Sequence, residues 1–265
     1  LLLGEPFVLT VSLKNESSEP QAVRDLLAPD YGFLSVWLKP PGEEEILYKP
    51  PIRRDTRGKL SKSIAPGERV TTVLPIYCGS EGWLLKKPGV YAVRAAYPIN
   101  KYNVAAKSIE FRVIASERTE DQTAAELLMK RETAQFLFLG GGKHLEEGER
   151  SLRTIVKEYP KSTLAPYARL ALGLSLSYES FDPKTKTFQG ADYPKAIEEL
   201  QWAIPRVKDP VVAAQGAIAL SEVLRKLKRG EEAVKVVDSY YSAHPEARRI
   251  PGIQQLFEEA AQRKR

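Results

Sequence analysis

The spacing of apolar residues changes once along this chain of 265 residues. Before the segment ASERTEDQ, apolar and polar residues alternate, as in PFVLTVSLKN, where Phe7, Leu9, Val11 and Leu13 share one face. After it, apolar residues recur every three or four positions. A period of two is typical of half-buried β strands, and a period near 3.6 is typical of amphipathic helices. The sequence therefore predicts a β domain over residues 1–116 and an α-helical domain over residues 117–265.

The first domain contains about seven short segments with strand character. Besides PFVLTVSLKN, VYAVRAAY and SIEFRVI, which would place Ile109, Phe111 and Val113 on one face, the candidates are residues 20–26, 32–38, 44–49 and 69–77. Turn sequences rich in Pro, Gly and Asn separate them, namely NESSEP, KPPGEE, APGER and KPGV. Short strands at this spacing without a helical period predict an immunoglobulin-like β-sandwich.

Three stretches of this domain carry a family resemblance. GEPFVLTVSLKNESSEP, IAPGERVTTVLPIY and KPGVYAVRAAYP resemble the pattern of many bacterial extracytoplasmic immunoglobulin-like modules. The layout is also similar to the bacterial intracellular proteinase inhibitor family. Because the matching positions are turns and core residues, the resemblance implies the fold and assigns no inhibitory residue.

The second domain is predicted to consist of helices in pairs. TAAELLMKRETAQFLFLGG is expected to form the first helix, with Asp121 or Thr123 capping its start and Gly140 and Gly141 ending it. The remaining helices are expected over residues 145–158, 164–179, 192–204, 210–228, 230–243 and 251–263.

A repeated spacing of small residues and proline supports helical hairpins. Leu220-Ser221 is followed at regular intervals by Ala233 and Pro245. Leu172-Gly173 is followed by Ala196 only after an insertion, SFDPKTKTFQGADYP, which is expected to form a loop, and Gly148 and Pro160 keep the spacing of an earlier unit. This pattern is similar to the tetratricopeptide repeat, in which small residues let paired helices approach.

YPKS ahead of APYARLALG also resembles the joint between repeats in bacterial periplasmic tetratricopeptide proteins, such as outer-membrane assembly lipoproteins and TolA-binding coordinators. That resemblance implies a scaffold or adaptor at the cell envelope. A periplasmic, secreted or cell-surface protein is expected, with a cytoplasmic one as the alternative. Since the chain opens with LLLGEPF, it is expected to be part of a longer gene product.

The repeat family binds peptides or protein surfaces in a groove lined by the first helix of each hairpin. Projected onto this chain, the groove would be formed by Tyr167, Leu170, Leu174 and Tyr178 with Gln215, Glu222, Arg225 and Lys226. The tyrosines are the preferred candidates, because apolar positions at helical spacing, such as Leu170 and Leu174, are equally well explained as core.

The β domain offers a second set of candidates. Arg53, Arg54 and Arg57 lie in the basic segment PPIRRDTRGKLSKSI, where they would suit an acidic partner, although a solvated loop is the favoured interpretation. Trp83, in GSEGWLL, would be available to stack on a sugar if exposed, whereas Trp37 is expected in the core. Asn15 begins a glycosylation sequon, but its position favours a role in a turn.

Catalytic and metal chemistry find little support in the residues. The single cysteine excludes an internal disulfide, and His144 and His244 lack the clusters that zinc requires. LGGGK lacks the spacing of a phosphate-binding loop. Neither a catalytic residue nor a cofactor is therefore predicted. The net charge of +6 is a modest surplus that lies mostly in the N-terminal part, and it does not indicate nucleic-acid binding. The sequence contains no apolar run long enough for a membrane span.

These observations predict a non-enzymatic bacterial interaction scaffold that binds another protein or a peptide. Carbohydrate binding or protease inhibition by the β-sandwich is the alternative. The oligomeric state is not predicted.

Overall fold

The computed structural model describes the chain apart from residues 25–26, 55–60, 100–101, 183, 251 and 263–265. Contacts between residues divide the chain into two units. One comprises residues 1–3 and 7–115, and the other comprises residues 4–6 and 116–265. The first is built of β strands and the second mainly of α helices, so the chain combines an N-terminal β unit with a C-terminal helical unit.

Eleven strands lie in the described part of the β unit. They are β1 (Val8–Lys14), β2 (Gln21–Arg24), β3 (Ser35–Lys39), β4 (Ile46–Leu47), β5 (Ser61–Ile64), β6 (Arg69–Pro75), β7 (Cys78–Gly79), β8 (Gly82–Trp83), β9 (Gly89–Ile99), β10 (Tyr102–Ala105) and β11 (Ile109–Val113).

Antiparallel pairing connects these strands. β1 pairs with β6 in a register that places Leu9 opposite Leu74 and Leu13 opposite Val70. β2 pairs with β5, and β7 pairs with β8. The largest sheet has five strands in the order β10-β9-β3-β4, with β11 also paired to β9. β4 is therefore an outermost strand of this sheet.

The alternation predicted for β1 is present. Leu9 and Leu13 are buried, whereas Thr10, Ser12 and Lys14 are exposed. Removing one apolar face from water stabilises such a strand. In β11 the residues Ile109, Phe111 and Val113 lie at alternate positions of one strand, as predicted, but only Val113 is buried and Ile109 is 53% exposed.

Asn15 closes the turn that follows β1. Its Nδ2 donates hydrogen bonds to the main-chain oxygens of Glu19 (2.8 Å) and Ile64 (3.0 Å). Its Oδ1 accepts from the main-chain N–H (3.0 Å) and the hydroxyl (2.7 Å) of Ser17. The residue is only 4% exposed. The asparagine therefore holds the turn together, as its position in the sequence predicts.

The helical unit contains eight α helices and one β hairpin in its described part. The helices are α1 (Thr119–Met129), α2 (Arg131–Leu139), α3 (Glu146–Glu158), α4 (Ala165–Leu176), α5 (Tyr193–Ala203), α6 (Pro210–Lys226), α7 (Gly230–Ala243) and α8 (Ile253–Gln262). The hairpin joins β12 (Ser180–Asp182) to β13 (Thr187–Gln189).

The helices pack in chain order, and alternate helices also meet. From α2 to α7 each helix contacts the next one. In addition α2 contacts α4, α4 contacts α6, and α6 contacts α8. Consequently the even-numbered helices form a continuous series of neighbours.

Three glycines permit the close approach of these helices. A Cβ added at Gly148 of α3 would lie 2.6 Å from the main-chain oxygen of Glu132 in α2. One at Gly173 would lie 2.7 Å from Leu200 Cγ, and one at Gly216 would collide with Leu170 Cδ1. Larger residues would push the helices apart, because real Cβ atoms do not approach other heavy atoms so closely.

Two features of the helical unit differ from the sequence prediction. The single helix expected over TAAELLMKRETAQFLFLGG is two helices, because Lys130 adopts an extended conformation (φ −58°, ψ 142°) between α1 and α2. Asp121 lies inside α1 instead of capping it. Gly140 does end α2, with φ 69°. The insertion expected to be a loop contains the β12–β13 hairpin.

No helix among the described residues combines the length and the apolar character that crossing a membrane requires.

Candidate functional site

Three residues from successive helices meet at one place in the helical unit. Tyr178 follows the end of α4, Tyr193 begins α5, and Lys226 ends α6. The Lys226 ammonium lies 5.6 Å from the centre of the Tyr178 ring and 5.7 Å from that of Tyr193. Tyr178 is 45% exposed, and Lys226 is also exposed. We call these three residues the tyrosine–lysine cluster.

Local sequence explains how α5 and α6 begin where they do. Asp192 directly precedes Tyr193, and its carboxylate accepts a 3.2 Å hydrogen bond from the N–H of Lys195. The carboxylate of Asp209 accepts from the N–H groups of Val211 (2.8 Å) and Val212 (3.1 Å). Aspartate at this position satisfies amide groups that have no partner inside the helix. Burial raises the pKa of Asp209, although these two N–H groups act in the opposite direction.

Other predicted groove residues extend the surface around the cluster. Gln215, Glu222 and Lys226 lie at positions i, i+7 and i+11 of α6, so they share one side of that helix. Gln215 is exposed, as is Arg225, which directly precedes Lys226, and Glu222 is half-buried. Leu174 of α4 is half-buried too. The structure therefore places these predicted residues at the surface of α4 and α6.

Tyr167 does not belong to this accessible surface. Its side chain is 1% exposed, and its hydroxyl donates a 2.6 Å hydrogen bond to Glu5 Oε1. Glu5 is one of the three residues 4–6 that belong to the helical unit. Burial and the adjacent carboxylate raise the pKa of the Tyr167 hydroxyl. The prediction that Tyr167 is an exposed groove anchor is thus corrected, because the chain itself occupies the position.

Leu170 is a core residue. It is 3% exposed, and its side chain packs against the main chain of α6 at Gly216. Of the two interpretations that the sequence left open for this leucine, packing is the one that the structure supports.

Trp83 is also buried, which corrects the expectation of an exposed sugar-stacking ring. Only 1% of it is exposed, and its ring centre lies 5.1 Å from that of Tyr77. Trp37, expected in the core, is half-buried, with the Arg94 guanidinium 4.1 Å from the centre of its ring. The Trp83 indole is therefore not available to stack on a sugar, and the Trp37 ring already contacts a guanidinium.

The basic segment of the β unit is only partly described. Arg53 and Arg54 are exposed. Arg54 pairs with the carboxylate of Asp30 at 3.2 Å, and its N–H donates to the main-chain oxygen of the same residue at 2.9 Å. Arg57 lies outside the described residues. The described part of this segment therefore shows two exposed arginines, one of which is already paired with Asp30.

Sequence reasoning missed Tyr193 of the cluster and two aromatic residues that lie between Tyr178 and Tyr193 in the sequence. Tyr193 follows a helix-capping aspartate, a position that reads as structural. Phe181 and Phe188 face each other across the β12–β13 hairpin, with ring centres 5.2 Å apart and exposed fractions of 49% and 73%. The alternation in KTKTF was the available signal, but the segment is too short for a reliable period.

The chemistry of these surfaces suits binding. Exposed aromatic rings and cationic side chains provide contact area and charge for a partner. Among the described residues, no group of three or more His, Cys, Asp or Glu side chains is arranged to hold a metal ion.

Comparison of the chain with protein-family models, with curated proteins and with solved structures gave no significant match.

Proposed function

We propose that this protein is a non-enzymatic interaction scaffold whose helical unit binds a peptide or a protein surface. The observation that carries the proposal is the tyrosine–lysine cluster, in which three successive helices bring an exposed aromatic ring against a cation. Aromatic and cationic side chains of this kind dominate the energy of many protein interfaces.

The proposed partner carries negative charge at the contact. Arg225 and Lys226 are exposed at the end of α6, and neither forms an ion pair with a described acidic side chain. An acidic segment would gain electrostatic attraction there while an apolar side chain packs on Tyr178. The exposed pair Phe181 and Phe188 would extend the apolar contact.

A tetratricopeptide-like array is the proposed arrangement of the helices. It is supported by the spacing of small residues, by the glycine contacts and by the series of contacts α2–α4, α4–α6 and α6–α8. In such an array each hairpin buries its remaining apolar surface against the next one. The even-numbered helices would then line a common groove.

For the β unit we propose an immunoglobulin-like sandwich, supported by its short antiparallel strands. No carbohydrate-binding role is proposed, since Trp83, on which that alternative rested, is buried. No observation favours protease inhibition. A cell-envelope location is proposed from the resemblance of YPKS and APYARLALG to periplasmic repeat proteins, with the cytoplasm as the alternative.

Affinity capture from native lysate tests the proposed function. The full chain would be compared with a double variant, Tyr178→Ala with Lys226→Ala. A matched control, Val234→Ala with Lys235→Ala, removes an exposed apolar residue and a lysine from α7. We expect a captured protein that the first variant loses and the control keeps. Equal capture by both variants, or no capture by the unaltered chain, would refute the proposal.

A further inference from the structure

A second candidate for binding lies in the β unit beside β4. A hollow of about 300 Å³ opens there. Its apolar lining includes Ile46, Leu47, Leu84 and Tyr91. Ile46 and Leu47 are 42% and 49% exposed, so the lining of the hollow includes exposed apolar surface.

β4 has an outer edge, opposite the edge that pairs with β3. The N–H of Tyr48 donates to the main-chain oxygen of Val36 at 2.8 Å, so the main chain of Tyr48 points towards β3. In an antiparallel pair this direction alternates from residue to residue. The N–H and C=O of Leu47 therefore point outward, where no described strand pairs with them.

Just beyond β4, the outer edge of the strand is already hydrogen-bonded to another segment. The main-chain oxygen of Lys49 receives the N–H of Ser80 at 2.9 Å. Gly79, Ser80 and Glu81 also line the hollow. The exposed edge of β4 is consequently bounded at one end, and the open length suits a short extended segment, not a long sheet.

Three lysines and two glutamates line the hollow, so its lining carries one more positive than negative charge. Lys87 pairs with Glu43 at 2.6 Å, which neutralises both. Lys49 and Lys86 remain exposed, and neither forms an ion pair with a described acidic side chain. Glu81 is a second acid among the described residues that line the hollow. Lysines close to a strand edge oppose pairing with a second copy of the same edge. They also attract the carboxylates of an acidic partner.

We propose that β4 is a docking edge for an extended acidic segment of a partner protein, which adds to the sheet as a further strand. The main chain of Leu47 bonds to that strand, and one apolar side chain of the segment enters the hollow between Leu47 and Leu84. Flanking carboxylates meet Lys49 and Lys86. Main-chain bonds supply affinity in this mode of recognition, and the hollow and the lysines supply specificity.

Nuclear magnetic resonance titration of the full chain with synthetic peptides tests this site. The probe is acetyl-Glu-Val-Glu-Leu-Glu-Val-Glu-amide, compared with the same peptide carrying Lys for Glu and with one N-methylated at alternate amides. We expect saturable shifts at β4 with the acidic peptide. The N-methylated peptide should bind about tenfold more weakly, because it loses main-chain hydrogen bonds. Equal binding of either comparison peptide, or no saturable shift, would overturn the proposal.

Matched variants locate the binding on the correct edge. Leu47→Glu should abolish the shifts, whereas Val104→Glu should not. Val104 is 47% exposed and lies on β10, at the other edge of the same sheet. Lys86→Glu should weaken binding and Lys107→Glu should leave it unchanged. Dispersed spectra of all four variants establish that they fold. Equal effects of Leu47→Glu and Val104→Glu would contradict the assignment, independently of the outcome for the helical unit.

Discussion

Asp121 and Ser162 join the first helix of the helical unit to the connection between α3 and α4. Asp121 Oδ1 accepts a 2.8 Å hydrogen bond from the Ser162 hydroxyl and another of 2.8 Å from the N–H of Thr163. Asp121 Oδ2 accepts a 2.8 Å hydrogen bond from the hydroxyl of Ser116. The aspartate is 2% exposed, and these three donors replace the water molecules that its carboxylate loses on folding.

Replacing Asp121 by asparagine should destabilise the protein by about 2 kcal/mol near neutral pH, because a charged acceptor of three hydrogen bonds is lost. Urea unfolding followed by far-UV circular dichroism measures this change. Glu126→Gln, at an exposed position of the same helix, is the control and should leave stability nearly unchanged.

The same aspartate should make stability depend on pH. Burial acts to raise its pKa, but the donors from Thr163, Ser162 and Ser116 outweigh burial and lower the pKa below 3.8. A carboxyl with a lower pKa in the folded state stabilises the fold above its unfolded pKa and loses that contribution as the pH falls through the folded value. Unfolding free energies should therefore drop more steeply in acid for the unaltered chain than for Asp121→Asn. Parallel pH profiles of the two proteins would contradict this.

Close approach of α3 to α2 should make Gly148 intolerant of a side chain. A Cβ there would meet main-chain atoms of Glu132, which cannot move aside as a flexible side chain can. We expect Gly148→Ala to cost about 2 kcal/mol, within the range for overpacked sites. Gly230→Ala is the matched control, because no atom lies within 4 Å of its added Cβ at the start of α7. Thermal unfolding of both variants decides the point, and equal midpoints would show that the helices adjust.

The role of a residue could be predicted from the sequence when its partners are close to it along the chain. Asn15 could be assigned to its turn because it holds Ser17 and Glu19, which are close in the chain. The spacing of the repeats was enough to choose Tyr178 and Lys226 as candidate binding residues, but it did not predict the contact between them. Tyr167 could not be assigned correctly, since its partner Glu5 is 162 positions away and helical periodicity carries no information about it.

Very short strands limited the prediction in the β unit. β7 and β8 have two residues each, too few to show a period of two. Trp83 at the end of β8 therefore read as an exposed residue between turns, whereas pairing with Cys78 places it in the interior. Likewise β5 falls within a basic segment whose composition indicates a loop, and its pairing with β2 is a contact between distant parts of the sequence.

The bond between Tyr167 and Glu5 should contribute to the stability of the helical unit. Tyr167→Phe keeps the buried ring but removes a 2.6 Å hydrogen bond to a carboxylate that is itself 8% exposed. Loss of such a bond to a charged group should cost about 2 kcal/mol. Tyr178→Phe, at a residue that is 45% exposed, should change stability by less than about 0.5 kcal/mol. Urea unfolding of both variants provides the comparison. Should Tyr167→Phe be as stable as the unaltered chain while Tyr167→Ala unfolds readily, the ring alone would account for the role of this residue, and the hydrogen bond to Glu5 would be energetically neutral.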